Sequence, residues 1–263
     1  MNQLYKEYLK HTIIYYIYRN LKKRNILKKR KKEFYEWNNI DDSKMLFYSQ
    51  FINTNDIVFD VGSNLGNRTK VFLKLGAKVI SFDPQEECSA LLCKISKKEK
   101  NLIHVSKGLG KEEKQAIMYI SNNSTVSSLS SNWIKAVRSH NRFEGTNWDL
   151  RQAVDISTLD IEIMKHGKPK FCKIDVEGYE LEVILGLCQP IDFISFEFTP
   201  EFINNALAVI DHLSSIGDVS FQFSLGESMK FSLDNWVRKN EIIKILKYDV
   251  DPMNFGDVYV KTI

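Results

Sequence analysis

"DIVFDVGSNLGNRTKVFLKLGAKVISFDP", residues 56–84, holds an apolar run that ends in a glycine turn, apolar residues at helical spacing, and a second apolar run. The first run reads as a buried strand closed by Gly62, Val71, Phe72 and Leu75 mark the helix after it, and "KVISFDP" (78–84) reads as the next strand. Outward from this unit the alternation recurs. A helix at "EECSALLCKISKK" (86–98) leads to strands "NLIHVS" (101–106) and "KFCKIDV" (170–176), then a helix from about Tyr179 to Leu187. Strand "DFISFEF" (192–198), a helix near 201–215, and strands "DVSFQFSL" (218–225) and "DVYVKTI" (257–263) follow. This order predicts an α/β fold, a mainly parallel sheet with helices on both faces. Between 107 and 169 the pattern loosens, and the Ser-rich "SNNSTVSSLSSN" (121–132) reads as a long loop of the kind that is functional or disordered.

Ligands of such sheets bind beyond the carboxyl ends of the strands where strand order reverses, which puts the loop 62–67 and Asp83 in one crevice. A dinucleotide site needs G-x-G-x-x-G, whereas this chain has Gly62-x-x-x-Gly66 followed by Asn67 and Arg68, which argues against a nicotinamide oxidoreductase. Asp60 precedes the first glycine by two positions and Asp83 ends the second strand. An acid beside the turn suits an ammonium group, and a helix start favours a carboxylate; the aminoacyl end of S-adenosylmethionine carries both. Asp83 would accept hydrogen bonds from the two ribose hydroxyls. A strand-turn-helix without any ligand is the alternative that this segment alone leaves standing.

Together with "VDISTLDIEIMKHGKPKFCKIDVEGYELEVILGL" (154–187), the opening stretch resembles the FkbM-type family of S-adenosylmethionine-dependent methyltransferases. The hallmark is the Lys-Ile-Asp-Val-Glu-Gly run, Lys173 to Gly178, followed by the acid Glu180; the resemblance covers roughly residues 51–200. It implies a Rossmann-like seven-stranded sheet with its last strand antiparallel. It also implies methyl transfer to oxygen, on hydroxyls of sugars and glycans or of secondary metabolites. On this resemblance Asp60, Gly62, Asn64 and Gly66 form the cofactor loop, with Ser63 in it where alanine is common, and Asp83 is the ribose acid; Asp175, ending the "KFCKIDV" strand beside the same crevice, is assigned to the cofactor as well. Phe198 stands where the family often has a polar residue or histidine, which weakens any substrate-side role at that position. The alternative function is a cofactor- or glycan-binding module that keeps the fold without turnover.

Methyl transfer to an aliphatic hydroxyl needs positioning of the acceptor oxygen and a group to take its proton. The candidates are Asp175, Glu177 and Glu197 at strand ends, with Asp175→Asn expected to lower turnover roughly 10²- to 10⁴-fold if Asp175 is the base. Each has a plainer reading: Glu177 as a tie for the turn, Glu180 as a helix-start acid, Glu197 as a solvated strand end. The same three acids have the oxygen-donor chemistry for Mg²⁺, but the site is read as metal-free. His104 lies in an apolar strand and reads as core. Trp133, Trp148 and Tyr179 have the faces to stack on a sugar, although packing is the commoner fate of such rings.

Composition sets the frame. The 263 residues, 43% hydrophobic, are enough for one large domain with an appendage. Residues 51–263 are assigned to the domain and 1–50 to a basic, aromatic-containing helical arm. Residues 1–32 carry eleven Lys and Arg against Glu7 alone, net +10, which leaves the other 231 residues at −6 within a chain of +4. "IIYYIY" (13–18) is too short to cross a bilayer, and no signal-peptide pattern surrounds it. The arm suits an anionic membrane surface, with a helix docked on its own domain as the rival reading; nucleic acid fits poorly with an acidic domain that lacks a binding motif. Four cysteines without C-x-x-C spacing and five histidines without metal-site spacing indicate reduced thiols. The expected location is cytoplasmic, peripheral on the inner face of the membrane.

Overall fold

The computed structural model describes residues 25–251 and 254–263; "IIYYIY" and most of the basic run lie outside the described residues. After a helical stretch at 25–35 come α1 (Asn39–Tyr48), β1 (Ile57–Val61), α2 (Thr69–Lys74), β2 (Lys78–Phe82), α3 (Glu86–Ser96) and β3 (Leu102–Val105). The middle of the chain forms β4 (Gly108–Leu109), β5 (Lys114–Ile120), α4 (Ser131–Ser139), β6 (Leu150–Ser157) and α5 (Leu159–His166). The remainder is β7 (Phe171–Ile174), α6 (Glu180–Ile184), β8 (Phe193–Phe198), α7 (Ile203–Ile216), β9 (Val219–Leu225), α8 (Lys239–Lys244) and β10 (Gly256–Thr262).

Seven strands form one sheet in the order β3-β2-β1-β7-β8-β10-β9. All neighbours are parallel except β10, which runs antiparallel to both β8 and β9. The chain leaves β1 toward one edge and returns through β7 on its other side, so the strand order reverses between β1 and β7. Strand residues are apolar almost throughout because both faces are covered. Phe59 and Val61 enter one core with Ile80, Cys172, Ile174 and helix α7, while Val58 enters the other with Val79 and Phe171.

The second core extends upstream of residue 51. Phe34, Phe47 and Tyr48 are buried in it, with Phe47 and Phe51 in edge-on or stacked contact with Tyr259 and Phe231. Helix α1 starts at a capping box in which the Asn38 side chain accepts from the Asp41 backbone and Asp41 accepts from the Asn38 backbone. It is also tied down by the buried Lys70–Asp41 ion pair at 2.7 Å. Part of the segment assigned to the arm is therefore integral to the domain.

The segment read as loosely patterned is ordered. Strands β4, β6 and β5 form a separate three-stranded sheet, β5 and β6 as an antiparallel ladder and β4 parallel to β6. This sheet presents residues 124–129 to the crevice, and Ser128 closes the link to the main sheet by donating to the Glu177 carbonyl at 2.6 Å.

Candidate active site

A cavity of about 280 Å³ opens at the carboxyl ends of β1, β2, β7 and β8, where the strand order reverses. Asp60, Gly62, Ser63, Asn64, Asp83, Asp175, Glu177 and Glu197 all line it, so eight of the nine residues expected from sequence converge there. Gly66 does not. A side chain at Gly66 would meet Phe34 at 2.7 Å and Leu92 at 3.0 Å, so this glycine packs the back of the loop against the core.

The loop after β1 is built to pass closely between strands. Gly62 has φ +80° and Asn64 φ +47°, and a Cβ on Gly62 would lie 1.8 Å from the Asp175 carbonyl oxygen. Glycine is required there by contact with the neighbouring strand end. Asp83 is buried at the tip of β2 and accepts from Asn64 N–H and Gln85 N–H, both at 2.8 Å. Burial pushes its carboxyl up to about 7, against the pull of those two N–H donors. Asp60 is buried and accepts from the Thr69 hydroxyl at 2.5 Å.

The second half of the site is the turn after β7. Glu177 has φ +55° and Gly178 φ +84°, and Trp133 lies so close to Gly178 that a Cβ there would be 2.2 Å from the indole. Glu180, not Glu177, ties this turn, accepting from Val176 N–H and Gly178 N–H at 3.2 and 3.1 Å. Burial raises Glu180 to about 7. Glu177 is thereby left to point elsewhere. Asp175, Glu177 and Glu197 each place a carboxylate oxygen within 4.8 Å of the other two, a donor set that has the chemistry for a divalent cation.

These three acids differ. Asp175 pairs with the buried Lys173 ammonium at 2.7 Å. Among the described residues, Glu177 and Glu197 have neither an ion pair nor a side-chain hydrogen bond. Burial and then mutual repulsion raise both well above the ordinary carboxylate range, Asp175 being the first charge felt by Glu177, and Glu177 the first felt by Glu197.

Opposite the acids, the cavity wall includes Lys44, Arg68, Lys107, Gln85 and Glu227. None was singled out as a site residue from sequence, because Lys44 belongs to α1 and Glu227 to the turn after β9, and only the tertiary fold unites them with Arg68. The Ser-rich segment lies on the same crevice: Thr125, Ser127 and Leu129 line it, and the Ser124 carbonyl accepts from the Asn64 and Gln85 side chains. Trp133 and Trp148 are buried against each other and are not available for stacking, whereas half-buried Tyr179 lines the cavity. His104 bridges the Ser81 and Ser89 hydroxyls inside the fold, and burial lowers it to about 4.

The donor set fits an adenosyl sulfonium cofactor. An acid at the tip of β2, apolar walls from Phe82, Leu109 and Met118, and opposite charges from Asp60 in β1 and Arg68 after it have the chemistry to hold a ribose, a base and a zwitterionic tail. Fold and site together define a Rossmann-like, S-adenosylmethionine-dependent methyltransferase. The chain belongs to the methyltransferase FkbM domain family, whose model matches residues 60–223. No curated protein sequence matches it. Among solved structures it is similar to a precorrin-6y C5,15-methyltransferase from Geobacter metallireducens, at 8% identity and TM-score 0.43, with 84% of this chain and 87% of that chain covered. A Streptococcus mutans protein assigned as a methyltransferase and solved with SAH is similar at 13% identity and TM-score 0.39, over 87% and 100% of the two chains. An rRNA methylase from Streptococcus thermophilus is similar at 12% identity and TM-score 0.40, over 83% and 93%.

Proposed function

We propose that this chain is an O-methyltransferase whose acceptor is a hydroxyl of a sugar, a glycan or a secondary metabolite. The observation that carries this reading is the pair Glu177 and Glu197, two unpartnered carboxylates of raised proton affinity in the wall of the cofactor cavity. When bound, the cofactor supplies an electrophilic methyl carbon, to which the acceptor oxygen bonds as the carbon–sulfur bond breaks. The chain's task is to hold the hydroxyl in line and remove its proton. Burial and crowding give each of these carboxylates a higher proton affinity than a lone acid, so Glu177 and Glu197 together take the proton. Asp175 is held by the Lys173 ammonium at 2.7 Å and serves to orient the hydroxyl through a hydrogen bond.

The direct test is mass spectrometry of glycans and small metabolites from cells with and without the gene, fed methyl-labelled methionine. A labelled hydroxyl-borne methyl group present only with the gene supports the reading. Cofactor binding without any labelled product would favour the non-catalytic module instead.

We further propose that the basic arm holds the enzyme at an anionic membrane surface on the cytoplasmic side. In its described part Lys28, Lys29 and Lys32 are exposed, and no helix among the described residues is long and apolar enough to cross a membrane. Sedimentation with anionic vesicles at low salt, lost when residues 1–32 are removed, tests this. Equal sedimentation by both chains would refute it.

A further inference from the structure

The end of the cavity beyond β1 is cationic, and two of its three charged groups lie outside the segment that matches the family. Lys44 comes from α1, Arg68 from the loop before α2, and Glu227 from the turn after β9. Asp41, Lys44 and Tyr48 sit at helical spacing on one face of α1, which the Lys70–Asp41 pair and the burial of Tyr48 press against the sheet. That docking delivers the Lys44 ammonium to the cavity.

Its direct ion pairing is uneven. Arg68 and Lys44 are both largely buried, with side-chain exposures of 10% and 12%, and they share one carboxylate. Glu227 takes the Arg68 guanidinium at 2.6 and 2.8 Å through a single nitrogen, whereas Lys44 stands 3.6 Å away, too far for a hydrogen bond. Arg68 Nε is buried with no acceptor. Burial, and then the nearness of Arg68, lowers the proton affinity of Lys44. Glu227 itself is on the rim, 61% exposed. Two buried cations with spare donors and one exposed acid make a seat that an incoming anion can complete.

We propose that Lys44 and Arg68 form the seat for the α-carboxylate of S-adenosylmethionine, and that Glu227 guards it by occupying the cations until the cofactor enters. The inference rests on the cofactor assignment. With the ribose fixed at Asp83 on β2 and the sulfonium near the acids of β7 and β8, the aminoacyl tail is directed past β1. There its ammonium faces Asp60 and its carboxylate faces Lys44 and Arg68. The segment before residue 51 is then part of the binding site and not a separable appendage.

The test is calorimetric titration of the full chain with S-adenosylmethionine and with decarboxylated S-adenosylmethionine, which lacks only the carboxylate. Wild type should bind the intact cofactor about 10- to 100-fold more tightly, as expected for loss of a charge-assisted contact. Lys44→Met should weaken S-adenosylmethionine by about ten-fold and leave the decarboxylated compound unchanged. Glu227→Gln should have the opposite sign, strengthening binding of the intact cofactor alone. Equal affinity of wild type for both compounds overturns the seat, as does equal weakening of both by Lys44→Met, which would make Lys44 structural. Failure of wild type to bind either compound would instead overturn the cofactor assignment and the seat with it.

Discussion

The two halves of the cavity treat their acids in opposite ways. On the β1–β2 side every acid is satisfied by the chain itself: Asp83 by two backbone N–H groups, Asp60 by the Thr69 hydroxyl. Of the three acids clustered on the β7–β8 side only Asp175 has a partner, and Glu177 and Glu197 crowd together without one. The first half is preorganised around a ligand of fixed shape, so its polar groups are already aimed. The second half stores electrostatic repulsion that an arriving proton, cation or hydroxyl relieves. On the proposed reading, binding and chemistry are built from the same residue type in different company.

Disrupting the boundary between the halves should have the largest effect. Gly62→Ala drives a methyl group into the Asp175 carbonyl and forces alanine to φ +80°. It should destabilise the fold by about 3 kcal/mol or more. Chemical denaturation measures this, and a variant of normal stability would show that the β1 loop and the β7 end are not in contact.

Within the preorganised half, Asp83→Ala should lose about 1.5 to 3 kcal/mol of cofactor affinity, roughly ten- to a hundred-fold. Titration with S-adenosylhomocysteine reads it directly, and an unchanged affinity would remove the ribose site from β2.

A smaller effect separates burial from pairing. Burial raises Asp83 and Glu180 to about 7, whereas an unfolded carboxylate titrates near 4, so the folded state holds these protons more tightly. The stability they contribute is fully present below pH ~4 and is lost as pH rises through ~7. The cofactor-free protein should therefore melt at lower temperature at pH 8 than at pH 5.5, with a shallower decline in Asp83→Asn. An identical slope in the variant would place the ionised Asp83 in a better solvated environment than the structure gives it.

How much of this was legible differs between regions for a physical reason. Strands such as Ile57–Val61 and Phe171–Ile174 are buried on both faces, so each reads as an apolar run broken by a single charge, Asp60 or Lys173, and the sequence places their ends within two residues. Strands β5 and β6 form a surface ladder that is half exposed, with Ile117 and Leu150 facing outward and a small cluster of Met118, Val154 and Ile156 buried, too short a pattern to mark a core strand. The acids of the site were legible because they adjoin buried strands in short motifs. Lys44 and Glu227 were not, since their meeting at Arg68 depends on the docking of α1 and the turn after β9, with no local pattern to announce it. Glu180 was read as a helix-start acid, but its buried carboxylate holds the turn and so releases Glu177 for the cavity.

The central claim is that the unpartnered acids run the chemistry and leave cofactor binding alone. Its most direct test pairs two readings on Glu197→Gln, the rate of methyl transfer to an identified acceptor and the calorimetric affinity for S-adenosylhomocysteine. The account predicts a rate lower by roughly 10²- to 10⁴-fold, with affinity changed by no more than about two-fold. Normal turnover, or an affinity that collapses with the rate, would contradict it.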